Sequence, residues 1–245
     1  MIRQGLTRRR RFLKGAAAGL AAAALWPARF ARARDTVDLQ LVLAADVSRS
    51  IDEQEFALQR QGYAAAIADP RVIRVMTGGK RGAVALTYFE WSGVGAQRTI
   101  VDWSRIDDGE AAIDFGARLL AAPRPFAAST ALGEAIAWSM GEFARCPFAA
   151  DKRTLDVSGD GTNTSGMMPD NARDLAVAAG VTINALVILS AEPTMWNPHH
   201  THPPGGLDEY FRRHVIGGNG AFAMTVQGFD TFGYAMVNKL TREVS

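Results

Sequence analysis

From Leu39 to Ala45 the chain is apolar at every position but Gln40, and the run ends at Asp46. A strand with one wet face alternates apolar and polar residues, whereas a strand covered on both faces reads as an unbroken apolar run. The segment therefore predicts a central strand between two layers. Directly after it come Asp46-Val47-Ser48-Arg49-Ser50 and a stretch, Ile51 to Ala68, that carries Phe56, Tyr63 and Ile67 at helical spacing until Pro70 stops it.

The same alternation of short apolar runs and amphipathic stretches continues to the end of the chain, as expected of strands and helices around a mostly parallel sheet. Gly82 to Phe89 reads as the second strand. Gln97 to Trp103 follows the Ser92-Gly93-Val94-Gly95 turn so closely that the two should form a hairpin, making the third strand an antiparallel edge. Helices are predicted over Asp107 to Ala121 and over Ala131 to Phe143, with Leu132, Ile136, Met140 and Phe143 on one stripe. The order then runs strand Thr154 to Ser158, helix Pro169 to Ala179, strand Val181 to Leu189, a long loop, helix Leu207 to Val215, strand Ala221 to Gln227 and a final helix stacking Phe229, Phe232, Met236 and Leu240. These elements describe a single doubly wound α/β domain with six strands in the order 3-2-1-4-5-6 and helices on both faces.

Composition matters mainly through its unevenness. Eight of the 27 Lys and Arg residues lie in residues 1–33, which contain no acid, so the remainder holds 19 bases against 25 acids. A remainder near −6 supplies no concentrated basic surface of the kind nucleic-acid binding requires, and no nucleic-acid partner is expected. The basic start reads RRRRFLK over residues 8–14, then an apolar run from Gly15 to Leu25, then Ala31-Arg32-Ala33 in A-x-A form. Eleven apolar residues fall short of the roughly 20 that span a bilayer. Residues 1–33 resemble a twin-arginine export signal, with Arg9, Arg10, Phe12, Leu13 and Lys14 on its consensus. That resemblance implies cleavage near Arg34, membrane contact only through the leader, and a periplasmic domain over residues 34–245. Cys146 is the only cysteine, so no intramolecular disulfide can form, and its place at a helix end points to structural burial.

In an open α/β sheet ligands bind beyond the carboxyl ends of the strands, where Asp46, Ser48 and Ser50 are predicted to lie. Hard divalent cations take oxygen ligands, and one carboxylate with two hydroxyls provides them without enclosing the ion in negative charge. The same residues before a helix could instead serve as an N-cap. Two further segments weigh against that alternative. Ser129-Thr130-Ala131-Leu132-Gly133-Glu134-Ala135-Ile136 precedes a helix, and Ser158-Gly159-Asp160-Gly161 ends the fourth strand.

Together the three segments resemble von Willebrand factor A (VWA) domains, whose metal-ion-dependent adhesion site (MIDAS) joins a DxSxS after the first strand to a Thr and an Asp from two later loops. They occur in the family's order across nearly the whole domain. Leu132 departs from the family's T-x-T-G pattern, where a second Thr is usual. The resemblance implies that Ser48, Ser50 and Thr130 would touch a Mg2+, Mn2+ or Ca2+ ion, that Asp46 and Asp160 would act directly or through water, and that an acidic group of a protein partner would complete the coordination. The chain also resembles a group of exported bacterial proteins that consist of this domain alone, a domain of unknown function.

Several other residues are candidates. Asp156, Ser158 and Asp160 recur with period two, which makes Asp156 and Ser158 an alternative ligand or outer support. Glu90 and Trp91 end the second strand on the same sheet edge and could frame a partner surface. The loop from Ser190 to Gly206 carries His199, His200 and His202; His200 and His202 could ligate zinc, or all three, as solvated residues, could face a partner. A metallohydrolase that uses the ion to activate water, with this loop as acid or base, is the rival function, although no general base stands at a recognised spacing. A scaffold with a vestigial site is a third.

Overall fold

The computed structural model describes residues 35–190 and 192–245. The expected leader, residues 1–33, lies outside them. Six strands form one sheet in the order β3-β2-β1-β4-β5-β6. They are β1 (Leu39–Asp46), β2 (Val84–Trp91), β3 (Gln97–Ile106), β4 (Lys152–Gly159), β5 (Thr182–Leu189) and β6 (Ala223–Gln227). All neighbours run parallel except β2 and β3, which form the expected antiparallel edge hairpin.

Every residue of β1 is buried, and the period of two divides its side chains between two cores. Leu39, Leu41, Leu43 and Ala45 pack with residues of α1 (Glu53–Ile67), α2 (Pro70–Thr77), α3 (Gly109–Ala121) and α8 (Phe232–Val244). Val42 and Ala44 belong to the other core, with residues of α4 (Leu132–Arg145), α5 (Pro169–Ala178) and α7 (Leu207–His214). Tyr63 of α1 sits edge-on to both Tyr88 and Phe232, with centroids 5.1 and 5.2 Å away. Gly62 lets α8 approach α1, because a Cβ there would lie 2.6 Å from the Phe232 ring.

Two local expectations change. Pro70 does not merely stop α1 but opens α2, with Asp69 as its N-cap. Proline lacks an N–H that the first turn would leave unbonded anyway. The predicted Ser190 to Gly206 loop contains a one-turn helix, α6 (Pro198–Thr201). Thr194 ties it down, its hydroxyl donating to Asn197 O at 2.6 Å and its N–H to Thr201 Oγ1 at 3.3 Å.

Candidate metal centre

The parallel register pairs Asp46 with Trp91 on one side of β1 and Ala45 with Ser158 on the other, so the ends of β1, β2 and β4 meet at one edge. Asp46 is fully buried, and its Oδ1 accepts from the Ser48 N–H at 2.8 Å. That bond curls the chain so that Ser48 Oγ and Ser50 Oγ come within 3.2 Å. Ser50 Oγ then donates to Asp160 Oδ1 at 2.8 Å, closing the cluster across the sheet. The N-cap role falls to Asp52 instead, in a reciprocal capping box with Glu55. Asp46, Ser48 and Ser50 are therefore not used to start the helix.

Thr130 is buried and precedes α4, held by Thr164, whose Oγ1 accepts from the Thr130 N–H at 3.0 Å while its own N–H donates to Thr130 O at 2.8 Å. The Thr130 hydroxyl faces His200, with Oγ1 3.4 Å from Nε2. The order of elements thus brings Asp46, Ser48, Ser50, Thr130 and Asp160 to the β1, β4 and α4 junction.

The electrostatics of the cluster are unfavourable as it stands. Burial pushes the Asp46 carboxyl well above the usual aspartate range, and the nearby Asp160 charge pushes it further, against hydrogen bonds from Ser48 and the positive charge of Arg124. Burial likewise raises Asp160 to about 6, opposed by the Ser50 hydrogen bond. Asp46 Oδ2 is buried without a hydrogen-bond partner. A buried carboxylate oxygen with no donor is costly, and a cation is the natural complement to two such acids. The donor set, two carboxylates and three hydroxyls, fits a hard divalent ion.

Ser158, expected as an alternative ligand or outer support, and two residues that the sequence did not single out, Gln59 and Arg124, hold this edge in place. Gln59 Nε2 donates to Asp46 O at 2.8 Å. Ser158 Oγ accepts from Tyr63 OH at 3.0 Å and donates to Gln59 Oε1 at 3.4 Å, which makes it a support beneath Asp46. Arg124 donates to the carbonyls of Val47 and Ile51 at 3.1 and 2.9 Å and so braces the Asp46 to Ile51 turn. A polar residue on the buried stripe of a helix, as Gln59 is beside Tyr63, was the available signal.

Three candidates are placed elsewhere. Asp156 is fully buried against α8, with Oδ1 2.5 Å from Lys239 Nζ, so its charge is met by a lysine away from the cluster. Glu90 is an interior acid rather than part of a partner surface: it pairs with Arg60 at 2.7 and 3.0 Å and accepts from Tyr88 OH at 3.3 Å. Trp91 is fully buried as well. The histidines separate, since His199 and His202 are exposed while His200 is buried beside Thr130. Burial lowers the His200 pKa from its ordinary value, opposed by the Thr162 backbone near the ring. No group of three or more His, Cys, Asp or Glu suited to a metal occurs among the described residues, so the three histidines form no zinc site of their own. Cys146 is buried at the C-terminal end of α4, as expected.

The strand order and the antiparallel edge match the fold of VWA domains. The chain belongs to the family described as "Protein of unknown function (DUF1194)", whose model matches residues 36–245. Proximal thread matrix protein 1 from the mussel byssus, solved with a zinc-occupied MIDAS motif, is 16% identical with a TM-score of 0.59 over 86% of this chain and 47% of its own. A von Willebrand factor type A structure from Catenulispora acidiphila is 16% identical, with a TM-score of 0.57 over 85% and 43% of the two chains. An aerotolerance-related membrane protein from Bacteroides fragilis matches over 84% of this chain and 99% of its own, at 15% identity and a TM-score of 0.51. This chain spans about half the length of the mussel protein, and at these identities the likeness establishes the fold. No curated protein matches the chain. Among the described residues no helix is long and apolar enough to cross a membrane.

Proposed function

We propose that the domain is a metal-dependent binding module, with a MIDAS-type site formed by Asp46, Ser48, Ser50, Thr130 and Asp160 that captures an acidic group of a protein partner. The observation that carries this reading is Asp46 Oδ2, a buried carboxylate oxygen with no donor, beside a second buried acid. Ser48, Ser50 and Thr130 would present hydroxyl oxygens to Mg2+ or a similar ion, while Asp46 and Asp160 would balance its charge. When bound, the ion supplies an electrophilic centre that few carboxylates blunt, so a partner carboxylate is attracted to it. The zinc-occupied motif of the mussel protein supports the metal but leaves its identity in this chain open to test.

The surroundings suit a protein partner. A small cavity of about 70 Å3 beside the cluster is lined by Arg49, Ser50, Ser129, Thr130 and Trp196 among others. Arg49 is exposed, and Met195 and Trp196 are 98% and 59% exposed on the adjoining loop. An exposed cation and two exposed apolar side chains at a binding edge favour an acidic, partly apolar ligand. A binding role is favoured over hydrolysis because His199, His200 and His202 do not converge on the cluster as an acid-base set. The twin-arginine reading of residues 1–33 assigns this activity to the periplasm.

Calorimetry of the purified chain with Mg2+ and Mn2+, followed by affinity capture with and without EDTA, tests the proposal. Binding of the ion, and partners retained only with metal, are expected. Asp160→Ala should abolish both. A chain that binds no divalent ion, or captures partners equally in EDTA, overturns the reading.

A further inference from the structure

The most unusual neighbour of the cluster is His200. Its side chain is buried, its Nδ1 has no hydrogen-bond partner, and its Nε2 makes only the 3.4 Å approach to Thr130 Oγ1. Nε2, the nitrogen nearer the cluster, has no hydrogen-bond partner closer than Thr130 Oγ1 among the described residues, and 3.4 Å is long for a hydrogen bond. The fold nevertheless makes room for it. Gly161, next to Asp160, has no side chain where a Cβ would lie 2.2 Å from His200 Nε2 and 2.1 Å from the adjacent ring carbon. The backbone is held by Thr162 N–H, which donates to His200 O at 2.9 Å, and the Trp196 ring lies 5.1 Å from the imidazole, tilted by 37°.

The spacing within each contacting pair matches that of neighbouring ligands on one ion. Adjacent ligands of an octahedral ion with bonds near 2.1 Å are about 3.0 Å apart. Ser50 Oγ to Asp160 Oδ1 is 2.8 Å, Ser48 Oγ to Ser50 Oγ is 3.2 Å, and Thr130 Oγ1 to His200 Nε2 is 3.4 Å. Imidazole nitrogen favours borderline transition ions over Mg2+ and Ca2+, which prefer oxygen throughout.

Resting on the proposed metal site, we infer that His200 Nε2 is a nitrogen ligand of the same ion, with at least one of Asp46 and Asp160 held through water, giving this domain a preference for a transition metal such as Mn2+, Co2+ or Zn2+ over Mg2+. The residue serves as a metal-selecting ligand contributed by the α6 turn.

Pulsed electron paramagnetic resonance of the full chain loaded with Mn2+ tests this without any activity. Imidazole nitrogen coupling to the bound ion is expected in the unaltered protein and in a His199→Gln, His202→Gln double variant. It should vanish in His200→Gln, which should also lose at least tenfold in Zn2+ and Co2+ affinity by calorimetry while Mg2+ affinity changes less than threefold. Bound Mn2+ without nitrogen coupling in the unaltered protein overturns the role of His200 and leaves the oxygen-ligand site standing. Nitrogen coupling that disappears in the double variant also overturns it. If no divalent ion binds at all, both this inference and the proposed function fall. Because the unaltered protein alone decides the first point, a His200→Gln chain that does not fold leaves the test intact.

Discussion

Ser50 Oγ donates to Asp160 Oδ1 at 2.8 Å, joining side chains 110 residues apart at the carboxyl ends of β1 and β4. The bond exists because β1 and β4 are parallel neighbours in a register that sets Ala45 beside Ser158. It links two proposed ligands, so removing either partner should damage the site rather than the fold. Ser50→Ala is expected to weaken Mg2+ or Mn2+ binding by at least about tenfold, with the circular dichroism spectrum unchanged. Calorimetry on the full chain measures this; unchanged affinity would remove Ser50 from the site.

The two buried acids also predict a pH dependence. Asp160 is raised to about 6, mainly by burial, and Asp46 is raised in the same direction. An acid whose folded pKa exceeds its unfolded value of about 3.9 contributes stability that is complete below the unfolded pKa and lost as pH rises through the folded one. The metal-free chain should therefore melt several degrees higher at pH 5 than at pH 7.5. For a domain of this size about 1 kcal/mol corresponds to roughly 2–4 °C. Saturating metal should reverse or erase the difference, because it favours the ionised acids. Thermal melts in EDTA and in Mn2+ at the two pH values check the sign. Asp160→Asn should raise the metal-free melting temperature at pH 7.5 while abolishing the metal effect.

Much of this was legible in sequence because the physics is local. The apolar run of β1 announced a strand covered on both faces, and the short Ser92 to Gly95 turn announced the hairpin. Asp46, Ser48 and Ser50 stood out because a polar triplet at the end of a buried strand needs a reason. What sequence left unread depends on contacts distant in the chain. Glu90 looked like an exposed strand end, but Arg60 lies on a helix 30 residues earlier. Asp156 shares a strand face with Asp160, yet Lys239 of α8 reaches it from the far end of the chain. His200 read as one of three solvated histidines, whereas its burial beside Thr130 and Gly161 distinguishes it from His199 and His202.

The Glu90 and Arg60 pair predicts a purely structural phenotype. Arg60 donates to both carboxylate oxygens and also to the carbonyls of Leu119 and Pro123 at 3.3 and 3.2 Å. Truncating one member of a buried ion pair strands the other charge and costs about 3–5 kcal/mol. Arg60→Ala should accordingly destabilise the domain by that amount in urea denaturation. Metal affinity of the folded fraction should stay within about threefold, since neither residue belongs to the cluster. A large loss of metal affinity with normal stability would return Glu90 to the functional surface.

Beneath α8, Lys239 sits between two acids, 2.5 Å from Asp156 Oδ1 and in contact with Glu243, all three side chains fully buried. Burial and the neighbouring Asp156 charge raise Glu243 to about 8, against the pull of Lys239 and a hydrogen bond from Asn184. At pH 7 Glu243 is then mainly protonated, so Glu243→Gln should change stability by less than about 1 kcal/mol. By the sign rule for a raised acid, its contribution is complete below an unfolded pKa of about 4.3 and is lost as pH rises through 8. The unaltered chain should lose stability between pH 6 and pH 9, and Glu243→Gln should flatten that loss. Lys239→Met removes the only cation paired with these two acids among the described residues and should cost about 3–5 kcal/mol at pH 7. Urea denaturation across this pH range separates these outcomes. A Glu243→Gln profile parallel to that of the unaltered chain would show that Glu243 does not titrate in this window.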